Sequence, residues 1–210
     1  MNYKLTKTKR RSISISIRDG EVYVRAPLRT SKRDIENFLK SKEAWIKKHV
    51  SKQLAAKLKR DSFDLNGESQ VLFLGDEVAL SEIVEVKDNQ HQFKKVLVQF
   101  YKDKARDIIT NMIEEYSVIM GIKPSNVRIT NAKTRWGSCS SKGNVNFSWY
   151  LVMAPKEQIE YVVVHELAHM KEMNHSQRFW NIVEKYMPGY KERKKGLKAL
   201  QDRLNTEDWD

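Results

Sequence analysis

The sequence predicts an α+β fold, in which a basic hairpin-and-helix region precedes a helical region built around one histidine cluster. Three observations predict it. Apolar residues alternate with period two near the N-terminus, they recur at three- and four-residue spacing in five later stretches, and three of the five histidines fall between His165 and His175.

A chain of 210 residues suffices for one substantial core, or for a core with a smaller appendage. Its 40% hydrophobic and 31% charged content describes a globular protein rather than a disordered or membrane one. The basic start, MNYKLTKTKRR, is not followed by a long apolar run, so neither a secretory signal nor a membrane span is expected. Cys139 is the only cysteine, which excludes intramolecular disulfides and thiolate zinc clusters and predicts a reducing, cytoplasmic setting. The net charge of +12 is unevenly spread: residues 1–60 hold 18 Lys and Arg against 5 Asp and Glu, and residues 61–210 hold 21 against 22. This asymmetry suits a polyanionic partner such as nucleic acid. It equally suits a surface that keeps a small protein soluble, and no base-reading motif accompanies it. Oligomeric state is not legible.

Ile13, Ile15 and Ile17 alternate with serine, and Val22 and Val24 alternate after Asp19-Gly20, which predicts a hairpin. Ser31 and Asp34 form a capping pair for one long helix or two consecutive ones over 32–59. Strands are expected at 70–74, 77–86 and 93–100, with turns at Gly75-Asp76 and Asp88-Asn89. They predict a small antiparallel sheet that could continue the N-terminal hairpin. An amphipathic helix is expected over 103–120, ending at Gly121, followed by strands at Val127–Ile129 and 144–153. Helices over 157–171, 176–187 and 191–205 complete the chain, the last with lysines outside and Leu197, Leu200 and Leu204 inside. The expected division is a basic α/β region, 1–100, and a catalytic region, 101–210.

His165 and His169 are four apart, so on a helix they share a face and can reach one Zn²⁺ at roughly 2 Å. Glu166 follows the first histidine and can address a water without ligating the metal, the arrangement of H-E-x-x-H zinc hydrolases. His175, six residues further, cannot reach the same ion from an unbroken helix. The helix must therefore stop soon after Met170. Asn174 can cap a new helix, with Gln177 at its third position and His175 in its first turn. Glu184 competes for the third place, and Glu172 lies too near His169 to approach well. Zinc with three protein ligands and an open position lowers the pKa of bound water toward about 7. Glu166 would then take and return the proton.

The segment TRWGSCSSKGNVNFSWYLVMAP leads into that helix. Arg135 beside Trp136, Gly137 and Ser138 can meet an anionic or carbonyl group, with the backbone at Gly137 open to close approach. Asn146 and Tyr150 follow at even spacing along the expected strand and are further candidates for substrate contact. A structural turn and strand would explain the same residues. Cys139 reads as a packed residue rather than a nucleophile.

Together, TRWGSCSSKGNVNFSW, YVVVHELAHMKEMNHSQRFW and MPGY resemble the YgjP-like family of metal-dependent hydrolases, which is related to the WLM and SprT types of zinc protease. The resemblance spans nearly the whole chain. It implies a zincin-like metallohydrolase domain, with His165, His169 and His175 as ligands of one Zn²⁺ and Glu166 as the catalytic residue. It also implies that Arg135 to Cys139 line the cleft. One departure is Tyr150, where the family often carries an arginine. Three functions follow as expectations: a metallopeptidase whose substrate lies along the 144–153 strand, a nucleoside triphosphate pyrophosphatase acting on UTP, and a nucleic-acid-binding protein with a structural metal.

Overall fold

In a computed structural model, the described residues are 2–63, 65–66, 68–84 and 90–209, and they form an α+β fold. Two compact units emerge: residues up to Phe63 with Leu204–Asp208, and the described residues after Phe63 up to Arg203 with Trp209.

In the first unit, β1 (Lys4–Thr8), β2 (Ser14–Arg18) and β3 (Glu21–Pro27) form a sheet of order β1-β3-β2. The hairpin is the expected one. Asp19 at φ 50° and Gly20 at φ 82° turn the chain with two left-handed residues, the geometry that matches the twist of paired strands. β1, parallel to β3, was not expected. Its sequence KLTKT is exposed throughout and carries no apolar alternation; it is held by its backbone while its lysines guard the edge. Helices α1 (Lys32–Ser41) and α2 (Glu43–Asp61) follow as two, broken at Lys42. Ser31 caps α1 by accepting from the Asp34 amide at 3.1 Å, as its sequence predicts. Val22, Val24 and Ala26 of β3 bury against Ile35, Leu39 and Ile46, and Gln53 Nε2 of α2 donates to the Ile17 carbonyl at 2.9 Å.

The second unit begins with the hairpin β4 (Gln70–Phe73) and β5 (Asp76–Ala79), a two-stranded sheet of its own rather than a continuation of the first. The strand expected over 77–86 ends early, in the short helix α3 (Leu80–Ile83). The expected turn at Asp88-Asn89 lies outside the described residues. The strand expected over 93–100 is instead helix: α4 runs from Gln90 to Met120. Val96 and Val98 suggest a strand, but the buried positions Leu97, Tyr101, Ala105, Ile109 and Ile113 recur every four residues, and that period decides.

The third sheet joins β6 (Asn126–Thr130), β7 (Gly137–Cys139) and β8 (Asn144–Ser148) in the order β6-β8-β7. β6 runs parallel to β8 and β7 antiparallel to it. The strand expected over 144–153 stops at Ser148 and gives way to a 3₁₀ helix, Trp149–Met153, whose five side chains are all buried. A run that is apolar on every side carries no period, so its conformation was not legible. Next come α5 (Lys156–Ala168), α6 (Gln177–Tyr186) and α7 (Tyr190–Leu204). α5 is central: Ile159, Val163, Val164, Leu167 and Ala168 are fully buried. Gly196 of α7 faces the amide end of the Gln158 side chain of α5.

Candidate active site

α5 delivers His165, Glu166 and His169 from its last turn, and the helix ends at Ala168. The chain then turns through 169–175, tied by Lys171 Nζ donating to the Met120 carbonyl at 2.8 Å. One local expectation is corrected. The cap of α6 is Ser176, whose hydroxyl accepts from the Phe179 amide, not Asn174. Asn174 Oδ1 instead accepts from the Ser176 amide at 2.9 Å. His175 thus precedes the helix rather than sitting in its first turn, and the bend brings it back over α5.

The result is a cluster of three imidazoles, with one ligand atom from each within 4.8 Å of the others. His165 Nε2 and His175 Nε2 are 3.1 Å apart, near the roughly 3.3 Å edge of a tetrahedron with Zn–N bonds of about 2.0–2.1 Å. His169 Nδ1 faces the Glu172 carbonyl at 3.2 Å and His165 Nδ1 faces the Tyr161 hydroxyl at 3.5 Å. Protons on both Nδ1 atoms leave both Nε2 lone pairs for a cation, the way metal-binding histidines are commonly oriented. Phe179, fully buried, lies 4.4–4.8 Å from all three rings and forms their floor. Trp180 stacks on His175, and Tyr190 stacks on Trp180. Burial drives His165 down to about 3, with His169, His175 and Lys194 acting in the same sense, and burial likewise lowers His169. Three imidazoles packed this closely suit a divalent transition metal. Neither carboxylate competitor joins them: Glu184 accepts from the Gly189 amide at 3.5 Å, and Glu172 contributes its carbonyl.

Glu166 is 5% exposed, and burial raises its carboxyl to about 8 while Arg135 opposes the rise. The backbone of β7 lies directly against it; a Cβ on Gly137 would stand 2.6 Å from Glu166 Cγ. His165 and Glu166 open onto a cleft of about 720 Å³ that Arg135, Trp136, Gly137 and Tyr161 also line.

Pairing of YVVVHELAH on α5 with RWGSC on β7 over one cleft coincides with a family profile described as "YgjP-like, metallopeptidase domain", which matches residues 11–200. The chain belongs to the YgjP-like family. Among solved structures, the metallopeptidase zymogen abylysin of Pyrococcus abyssi is 30% identical, with 47% of this chain and 92% of that one covered and a TM-score of 0.37. The zymogen jannalysin of Methanocaldococcus jannaschii is 26% identical, with 45% and 96% covered and a TM-score of 0.39. No curated protein matches the chain.

The remaining residues singled out in this YgjP-like sequence are dispersed. Ser138 and Asn146 bond to each other at 3.2 Å and line a separate hollow of about 210 Å³, which Arg135 and Gly137 also border. Tyr150 is buried against Trp149, ring centroids 3.7 Å apart, and lines neither space. The chain direction that would have carried it toward the site changes when β8 becomes the 3₁₀ helix. β8 is also the middle strand of its sheet, so the backbone edge beside Glu166 belongs to β7. Sequence reasoning missed Phe179 as the histidine floor and the α7 lysines as cleft residues. The lysine stripe is visible at helical spacing, but nothing local says what it faces. Among the described residues no helix is long and apolar enough to cross a membrane.

Proposed function

We propose that this YgjP-like chain is a zinc-dependent peptidase in which His165, His169 and His175 hold one Zn²⁺ and Glu166 moves the proton. The observation that carries the reading is the convergence of three imidazoles beside a buried carboxylate on an open cleft. Bound there, zinc would supply Lewis-acid polarisation and acidify water. Glu166 takes a proton from the attacking water on a carboxylate oxygen and delivers it to the departing amine. Burial raises its carboxyl, and a zinc ion beside it would favour the ionised form that accepts the proton. Tyr161 stays a phenol, pushed up to about 12 mainly by burial, and with Arg135 offers donors toward developing negative charge. β7 has a hydrogen-bonded neighbour on one side only, among the described strands, so an extended polypeptide can pair along Gly137–Cys139 past Glu166.

Zinc-loaded protein and its Glu166→Gln variant should be given unfolded polypeptide and, separately, UTP, each with and without DNA. The wild type is expected to cleave the polypeptide, and the variant to keep stoichiometric zinc while losing roughly 10²–10⁴-fold in rate. Pyrophosphate release from UTP without polypeptide cleavage would replace this reading with the nucleotide one. Salt-sensitive DNA binding without either activity would replace it with the binding one.

A further inference from the structure

Four lysines of α7, Lys191, Lys194, Lys195 and Lys198, share one helical face, and all four line the cleft that opens on His165 and Glu166. They are exposed, and none forms an ion pair with a carboxylate among the described residues. Glu192, the one acid between Lys191 and Lys198, does not line the cleft. Arg135 adds a fifth cation to the cleft walls. A solvated helix face would commonly mix both signs of charge; this one concentrates a single sign over the reacting groups. Gly196, in the middle of the stripe, faces the Gln158 side chain of the helix that carries His165 and Glu166.

We infer that the cleft selects acidic polypeptide, with the α7 lysines engaging carboxylate side chains of the substrate beside the bond to be cut. The inference rests on the peptidase reading and names its substrate class. From Lys191 to Lys198 the stripe runs about 10 Å along the helix axis. An extended peptide places same-side side chains about 7 Å apart, so two alternate Asp or Glu residues fit under it. Lysine is a flexible point charge rather than a fixed fork, so the stripe reads charge and tolerates either acid. Several cations acting together also draw an acidic chain in from solution, an attraction that salt weakens.

The test separates binding from cleavage. Zinc-loaded Glu166→Gln protein is titrated with a labelled peptide carrying alternate glutamates and with its glutamine analogue. The acidic peptide is expected to bind roughly tenfold more tightly, the scale of several exposed ion pairs, and the advantage to shrink with salt. Adding Lys195→Glu and Lys198→Glu should abolish the preference. Lys195→Gln with Lys198→Gln, checked for unchanged melting and zinc content, should reduce it and guards against misfolding. Equal binding of the two peptides overturns the inference whatever wild-type protein cleaves. Selective binding without cleavage of either peptide by zinc-loaded wild type upholds the charge selection and sinks the peptidase reading. Displacement of the acidic peptide by UTP at concentrations below the peptide's own Kd overturns the assignment of a polypeptide.

Discussion

Gly137 is where the backbone of the β7 edge touches Glu166, the proposed proton carrier. Its φ lies outside the left-handed region, so an alanine there meets no conformational penalty, only Glu166 Cγ at 2.6 Å. Gly137→Ala is expected to push the carboxylate aside and slow cleavage by about 10²-fold, the scale for an ångström of misplacement. Zinc content should stay at one per chain; loss of zinc together with activity would assign Gly137 to the fold instead. Cys139, two residues on, has its thiol raised by burial and by the charge of Glu166. A raised thiol holds less thiolate at pH 7, so alkylation by iodoacetamide should be slower than that of glutathione. Rapid labelling would contradict the placement. At this scale the sequence reads well where helix geometry alone sets positions, as for His165, Glu166 and His169. His175 was readable only as a corner within reach, and Tyr150 depended on a strand that ends two residues before it.

The element that positions His175, the third proposed ligand, is the start of α6. Ser176 caps it and Asn174 holds the Ser176 amide, so His175 is fixed from both sides. Ser176→Ala is expected to cost about 1 kcal/mol in stability. It should also weaken zinc affinity, read as a lower chelator concentration for half removal; an unchanged chelator midpoint would show that the turn holds without its cap. Both asparagine and serine are good caps, and two residues of sequence do not say which is used. The same physics explains the larger misses. α4 was cut short because valines at 96 and 98 mimic a strand. β7 has no sequence signal of its own, because three small or half-buried residues carry no pattern, and only pairing with β8 makes them a strand.

At the level of the whole molecule, a metal bound only by folded protein stabilises it in proportion to the logarithm of its free concentration. A chelator should therefore lower the melting temperature of zinc-loaded protein, and added zinc should restore it; an unmoved transition would deny a native ion at this cluster. The class of fold was visible at this level because period two gives way to period 3.6 along the chain, whereas the separation into three small sheets was not, since strand partners are chosen at long range. The basic first 60 residues fall in the first unit, so any polyanion binding there should weaken steeply as salt rises.

The stacking of Trp180 on His175 turns this indole into a built-in reporter. Among the described residues, it is the tryptophan in ring contact with the histidine cluster. Loading with paramagnetic Co²⁺ should dim part of the ultraviolet emission, and Trp180→Phe should erase that part, so occupancy can be followed by light before any substrate is known.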